Sequence, residues 1–269
     1  MSRELYYSSI FCVFILIGGG VIIPHIDLSV TTKCSLKCKN CTQWNPYIHN
    51  PQTFSSQSII NNLEKLFANI DYLFRVAILG GEAFINNELA DVIDYLVKQK
   101  KLGMLLVITN GTIIPSEKII NSMRNDKVQV WLDKYGSHSK KADELNEIFL
   151  ANNINVLLFG PVRSWWDFGL ISKKYSDPKD IEEIFDSCYL RHCFGFYDGK
   201  LYRCSRSYVL ENNGLEQPGE YECIDVNAIQ DKRQMQLALK KFYALDYIKA
   251  CGWCNKKKNR RAIPAGEQL

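Results

Sequence analysis

Five short runs of β-branched and other apolar residues recur between positions 26 and 159, each separated from the next by an amphipathic stretch. The runs cover 26–30, 75–79, 104–109, 128–132 and 155–159. Between them lie 57–70, 87–100 and 115–125, then 140–152, with apolar residues at three- and four-residue steps. Strand–helix repetition of this kind predicts parallel pairing with helical crossovers, hence an α/β fold. A closed eightfold barrel of such units takes about 250 residues. Here the repeats stop after five strands, so the expected architecture is a partial (open) β/α TIM-like barrel over 26–169. Its open side leaves room for a bulky substrate. A small C-terminal α+β domain is expected over 170–269, and an apolar capping segment over 1–25.

Cys34, Cys38 and Cys41 stand in the run Thr32-Lys33-Cys34-Ser35-Leu36-Lys37-Cys38-Lys39-Asn40-Cys41, immediately after the first strand. Three thiolates on one short loop can hold three irons of a [4Fe–4S] cluster and leave the fourth without a protein ligand. A zinc knuckle or three separate core thiols are the alternatives. Gly80-Gly81-Glu82 follows the second strand, at the end where a barrel of parallel strands carries its active site. Two glycines let the backbone approach a ligand closely, and Glu82 supplies a carboxylate for an ammonium group. Asn110 ends the third strand, where an Asn-Gly turn is the plain alternative. Lys134 and Tyr135 end the fourth at the same rim.

On these residues the chain resembles the radical S-adenosylmethionine (SAM) superfamily. The resemblance implies that Cys34, Cys38 and Cys41 bind a [4Fe–4S] cluster whose open iron is chelated by SAM. Gly80, Gly81 and Glu82 match the motif that holds the SAM amino group. Asn110 would then face the ribose hydroxyls, and Lys134 would reach SAM or substrate. One departure is Asn40, where the superfamily often has an aromatic residue near the adenine. The implied chemistry is reductive cleavage of SAM to a 5′-deoxyadenosyl radical, followed by hydrogen abstraction from substrate. An electron donor such as flavodoxin or ferredoxin is implied as a partner.

A second cysteine group lies downstream. Cys188 and Cys193 precede a hairpin over 196–203 built on Asp198-Gly199, Cys204 closes it, and Cys251-Gly252-Trp253-Cys254 follows a helix expected over 227–247. Such thiols suit either tetrahedral zinc or an Fe–S cluster. Their order is similar to the twitch domain, a shortened SPASM domain. This implies an auxiliary [4Fe–4S] cluster on Cys204, Cys251, Cys254 and either Cys188 or Cys193. Cys12 and Cys223 are read as ordinary thiols. The combination is similar to the inosamine dehydrogenases, in which a second cluster accepts an electron from a substrate radical. A sugar, cyclitol or nucleotide-sugar oxidation is therefore the first expectation. A peptide-modifying maturase and a non-catalytic zinc-binding interaction protein are its rivals. Lys134, Tyr135, Trp166 and Asp167 are the candidate catalytic residues, with Trp165, Arg163, His138 and Arg206 as further candidates for a carbohydrate-like pocket.

Composition narrows the class further. In 269 residues, 33 basic and 29 acidic side chains leave +4, too mild to indicate nucleic acid or an anionic membrane. The ten cysteines fall in short-spaced sets, which favours metal ligands in a reducing, cytoplasmic compartment. Residues 5–23 are mostly apolar and could pass for a signal or anchor. Tyr6, Tyr7, Ser8 and Ser9 break the run early and Gly18-Gly19-Gly20 interrupts it, so 10–17 and 21–23 are read as a buried hairpin or cap. Residues 165–169 are expected as a loop, 211–222 as a polar stretch, and the basic run 256–261 as a solvated tail.

Overall fold

The computed structural model describes residues 20–269, so the expectations for 10–17 and Cys12 lie outside the described residues. Val21 and Ile23 belong to no cap. Val21 immediately precedes β1 (Ile22–Thr31), a ten-residue strand twice the length that periodicity suggested, and Ile23 lies within it; both are buried. Alternation explains why the strand is longer than its apolar core. Ile23, Ile26, Leu28 and Val30 enter the main hydrophobic core, while His25, Asp27 and Ser29 alternate with the last three of these.

The next four strands fall where expected, with slightly longer bounds: β2 (Tyr72–Gly80), β3 (Leu102–Thr109), β4 (Val128–Asp133) and β5 (Asn155–Phe159). All pair in parallel, in the order β5-β4-β3-β2-β1. The crossovers are α1 (Ser56–Ala68), α2 (Leu89–Val97), α3 (Glu117–Ser122) and α4 (Ala142–Ala151), whose apolar faces bury Leu63, Leu66, Ile93, Ile119 and Phe149 in the core. Ser55 caps α1 by accepting from the Ser58 amide. On the concave side of the sheet, Ala77, Leu106 and Trp131 form a separate small cluster with Leu79, Ile108 and Phe159 beside it.

Downstream, the structure departs from the sequence reading in an informative way. The hairpin is β7 (Phe194–Tyr197) and β8 (Lys200–Tyr202), turning through Asp198 and Gly199, both at positive φ. It builds no separate sheet: β7 pairs in parallel with β1 on the edge opposite β2, and β9 (Cys223–Asp225) follows β8, giving eight strands in one open sheet. The boundary expected at 169/170 therefore divides elements that share one sheet. The stretch expected as a loop contains β6 (Ser164–Trp166), which pairs antiparallel with β10 (Ala262–Pro264). Two more helices, α5 (Pro178–Asp186) and α7 (Lys232–Tyr243), agree with the periodicity, whereas α6 (Ser205–Asn212) was not expected. Nor is the basic run wholly solvated: Lys256 is buried and paired with Asp180 and Glu183 at 2.5 and 2.8 Å. Among the described residues no helix is long and apolar enough to cross a membrane.

Phe194 is fully buried where β7 meets β1, edge-on to Phe242 of α7 at 5.1 Å. Truncating it to Ala should cost about 3–5 kcal/mol. Chemical denaturation of Phe194→Ala should show that loss with little change in slope.

Candidate active site

Gly80 and Gly81 end β2 against the loop that leaves β1. A Cβ on Gly80 would sit 1.9 Å from the Thr31 carbonyl oxygen, and one on Gly81 would sit 2.0 Å from that of Lys33. The Gly81 and Glu82 amides donate to those same two oxygens, each at 3.0 Å. The cysteine loop thus leaves no room for a side chain at either glycine. Gly80 also takes φ of +136°, which L side chains rarely adopt.

Glu82 turns inward and is almost fully buried. Its Oε1 accepts from the Thr109 hydroxyl at 2.8 Å and the Phe84 amide at 3.2 Å, and its Oε2 from the Asn110 amide at 2.8 Å. All three donors are neutral. Burial outweighs their pull and pushes the carboxyl up to about 7. A carboxylate has about four acceptor sites and three are filled, so an ammonium group reaching the fourth would supply the missing counter-charge.

The cysteine loop is held from several sides. Cys34 Sγ accepts from the Leu36 amide at 3.5 Å and the Asn110 side-chain amide at 3.6 Å. Backbone amides of Asn45, Gln43 and Trp44 point at Cys41. The segment after β10 lies along the loop: Lys39 N donates to Glu267 O, Leu269 N to Lys37 O, and Gln268 Nε2 to Cys38 Sγ at 3.3 Å. Burial pushes the Cys34 thiol up to about 12 and raises Cys38 and Cys41 as well. A metal centre here must therefore expel protons, and its affinity rises with pH. Three thiols on one turn, ringed by N–H donors and beside a buried carboxylate, fit a cluster with one open iron.

Downstream, Cys188, Cys204, Cys251 and Cys254 gather around one site. Cys188 follows the end of α5, Cys204 is the N-cap of α6, and Cys251 and Cys254 share a turn closed by a 3.0 Å backbone bond. Cys193 lies near Cys188 and Cys204 as well, but also faces a further set. Its Sγ lies with His25 and Asp27 in a set whose donor atoms are all within 4.8 Å of one another. That set suits a proton network better than a cation. Arg75 Nε donates to His25 Nδ1 at 2.9 Å, which leaves Nε2 as the N–H that donates to Asp27 at 2.6 Å. A metal on Nε2 would put the proton on Nδ1, against Arg75. Among the described residues no three thiols come within 4.8 Å of one another. Sulfurs around a single zinc would be about 3.8 Å apart, given a Zn–S bond of about 2.3 Å.

The remaining candidates are scattered. Asn110 bridges Glu82 and Cys34 at the rim. Lys134 reaches the rim, but its ammonium pairs with Asp143 on α4 at 2.6 Å. Tyr135 donates to buried Asp133 at 3.0 Å and meets Trp165 edge-on. Trp166 is exposed on β6, and Asp167 shares a cleft of ≈440 Å³ with Lys39, Asn40 and Glu267. Arg206 lines no open pocket: it is buried between the two cysteine groups. The sequence reading missed His25, Asp27, Thr109, Asp133 and Gln268. Polar residues alternating with apolar ones on β1 were a usable signal for the first two.

No family model matches this chain. A GTP 3′,8-cyclase of Clostridium perfringens is 25% identical over 144 residues, covering 52% of this chain and 42% of the cyclase. The antilisterial bacteriocin subtilosin biosynthesis protein AlbA of Bacillus subtilis is 30% identical over 101 residues, covering 35% of this chain and 20% of AlbA. The chain thus spans less than half the length of these relatives. Among solved structures, SuiB of Streptococcus suis bound to the precursor peptide SuiA has TM-score 0.41 and 15% identity, over 51% of this chain and 32% of SuiB.

Glu82 makes the stability of the metal-free protein pH-dependent in a definite direction. Its carboxyl rises from 4.5 to about 7 on folding, so the native state binds more protons through that window. Stability should fall as pH rises from about 4.5 to about 7, by at most on the order of 3 kcal/mol. Thermal melts of parent and Glu82→Gln across this range check it: the variant should lack the slope.

Proposed function

We propose that the chain is a radical SAM enzyme that removes two electrons from an alcohol-bearing, carbohydrate-like substrate, with the downstream cysteine group holding the electron acceptor. When bound, the first cluster with SAM supplies a 5′-deoxyadenosyl radical that takes a hydrogen atom, and an auxiliary [4Fe–4S] cluster supplies an acceptor for the next electron.

This chain's residues do the rest. Cys34, Cys38 and Cys41 would hold the first cluster, and Glu82 would orient the SAM ammonium against the clamp that Gly80 and Gly81 make with Thr31 and Lys33. The concave wall of Leu79, Ile108, Trp131 and Phe159 would exclude water from the reacting carbon. Asp27 and Asp133 place carboxylates on that wall as hydroxyl acceptors. The observation that carries the reading is the gathering of Cys188, Cys204, Cys251 and Cys254 around one site. Four thiolates leave no open iron, which suits an acceptor rather than a second SAM site. Flavodoxin or ferredoxin would supply the first electron.

A second reading, modification of a peptide, is favoured by AlbA, whose name assigns it to bacteriocin biosynthesis. It is also favoured by β5, the terminal strand of the sheet, where exposed Leu157 and Leu158 would receive an extended chain by strand addition. Anaerobic turnover with SAM and dithionite separates the two. A ketone from a sugar or cyclitol supports the first reading, and a mass change on a peptide alone supports the second.

Iron content tests the ligand assignment. Cys188→Ala should lose about half of roughly eight irons per chain, whereas Cys193→Ala should keep them all. Equal losses would remove the distinction. Cys254→Ala, checked for folding by circular dichroism, should still form 5′-deoxyadenosine but give no ketone. The triple change of Cys34, Cys38 and Cys41 to Ala should abolish 5′-deoxyadenosine altogether.

A further inference from the structure

Arg206 is 4% exposed, yet among the described residues no carboxylate meets its guanidinium. Nε donates to the Thr42 carbonyl at 2.8 Å, one residue past Cys41. Nη1 donates to the Phe168 carbonyl at 3.1 Å and to Cys254 Sγ at 3.0 Å. The plane lies over the Trp44 ring at 4.0 Å and near Phe168 at 5.7 Å. Trp44 is itself fully buried and donates through its indole to Gly169 O at 3.0 Å, so the guanidinium sits on a fixed platform. A buried cation is costly unless an anion compensates it, and stacking on an indole offsets only part of that cost. The groups within reach that can become anions are thiols, one from each cysteine group: Cys254 by contact and Cys41 across Thr42.

We propose that Arg206 is the shared counter-charge of the two cysteine sites, raising the reduction potential of the centre each one holds. The proposal rests on the two-cluster reading above. Loading a cluster turns thiols into thiolates, and reduction adds a further negative charge. A guanidinium fixed beside both sites favours each of those steps, more strongly where it touches sulfur. Arg206 is a positioning residue in this account, acting through the sulfurs without meeting substrate. Two other cations lie in the neighbourhood: the Lys174 ammonium donates to the Trp253 and Leu170 carbonyls at 3.3 and 3.5 Å, and Arg260 lies over Phe168 at 4.6 Å and donates to Ser187 O at 3.2 Å.

EPR-monitored redox titration of the anaerobically reconstituted full chain tests this, comparing parent, Arg206→Gln and Arg206→Lys. With iron retained, Arg206→Gln should shift both midpoints to more negative values, the second cluster more than the first, while Arg206→Lys stays close to the parent. Unchanged midpoints in an iron-replete Arg206→Gln protein overturn the proposal. Equal shifts in both variants overturn it too, because the charge would then not be the cause. If Arg206→Gln loses iron, the Lys variant decides: both clusters at parental potentials support the proposal. Loss of the second cluster, or a negative shift, in Arg206→Lys assigns the residue to folding and overturns it. A parent protein holding only about four irons fails the two-cluster reading instead, and is recognised before any variant is compared.

Discussion

β1 is paired on both edges, with β2 on one side and β7 on the other, and both pairings are parallel. Nearly everything else hangs from it. The cysteine loop is the continuation of its C-terminal end, and the Gly80-Gly81-Glu82 turn docks on that loop through hydrogen bonds to Thr31 and Lys33. Because β7 adds to the opposite edge, the hairpin that leads to Cys204 starts within the same sheet. One rigid strand therefore sets the relation between the two cysteine groups, without depending on a flexible linker between domains.

Buried charge is concentrated along this axis. Glu82 is an acid held by neutral donors, Arg206 a base held by carbonyls and a thiol, and neither has an ionised partner of its own. In an ordinary core such groups would be costly. Here each faces a place where a ligand or a thiolate of opposite charge belongs. The His25–Asp27–Arg75 network differs in kind: its charges are already compensated, and it seals the junction of β1 and β7.

The C-terminal segment shows how local composition can mislead. Residues 256–261 are rich in Lys and Arg, and in isolation such a run is solvated. Lys256 instead meets Asp180 and Glu183 on α5, and the chain beyond forms β10 against β6 before Gln268 reaches Cys38. None of these partners is close in sequence. The helix α6 escaped notice for a related reason: Ser205 to Leu210 are all buried, so no polar face supplied a period.

What the sequence determined by itself was local and periodic. Alternating β-branched and amphipathic segments specified parallel strands with helical crossovers, and C-x3-C-x2-C on one loop specified a three-thiol site, because both depend on near neighbours. Tertiary structure decided whatever required distant segments to meet. It set Cys193 beside His25 and Asp27 at the β1–β7 junction. It brought the glycines of the turn against the cysteine loop, through backbone oxygens some fifty residues away. It also carried Arg206 from a pocket wall to the space between two thiol groups. In each case the spacing was compatible with several placements, and packing against a remote partner selected one.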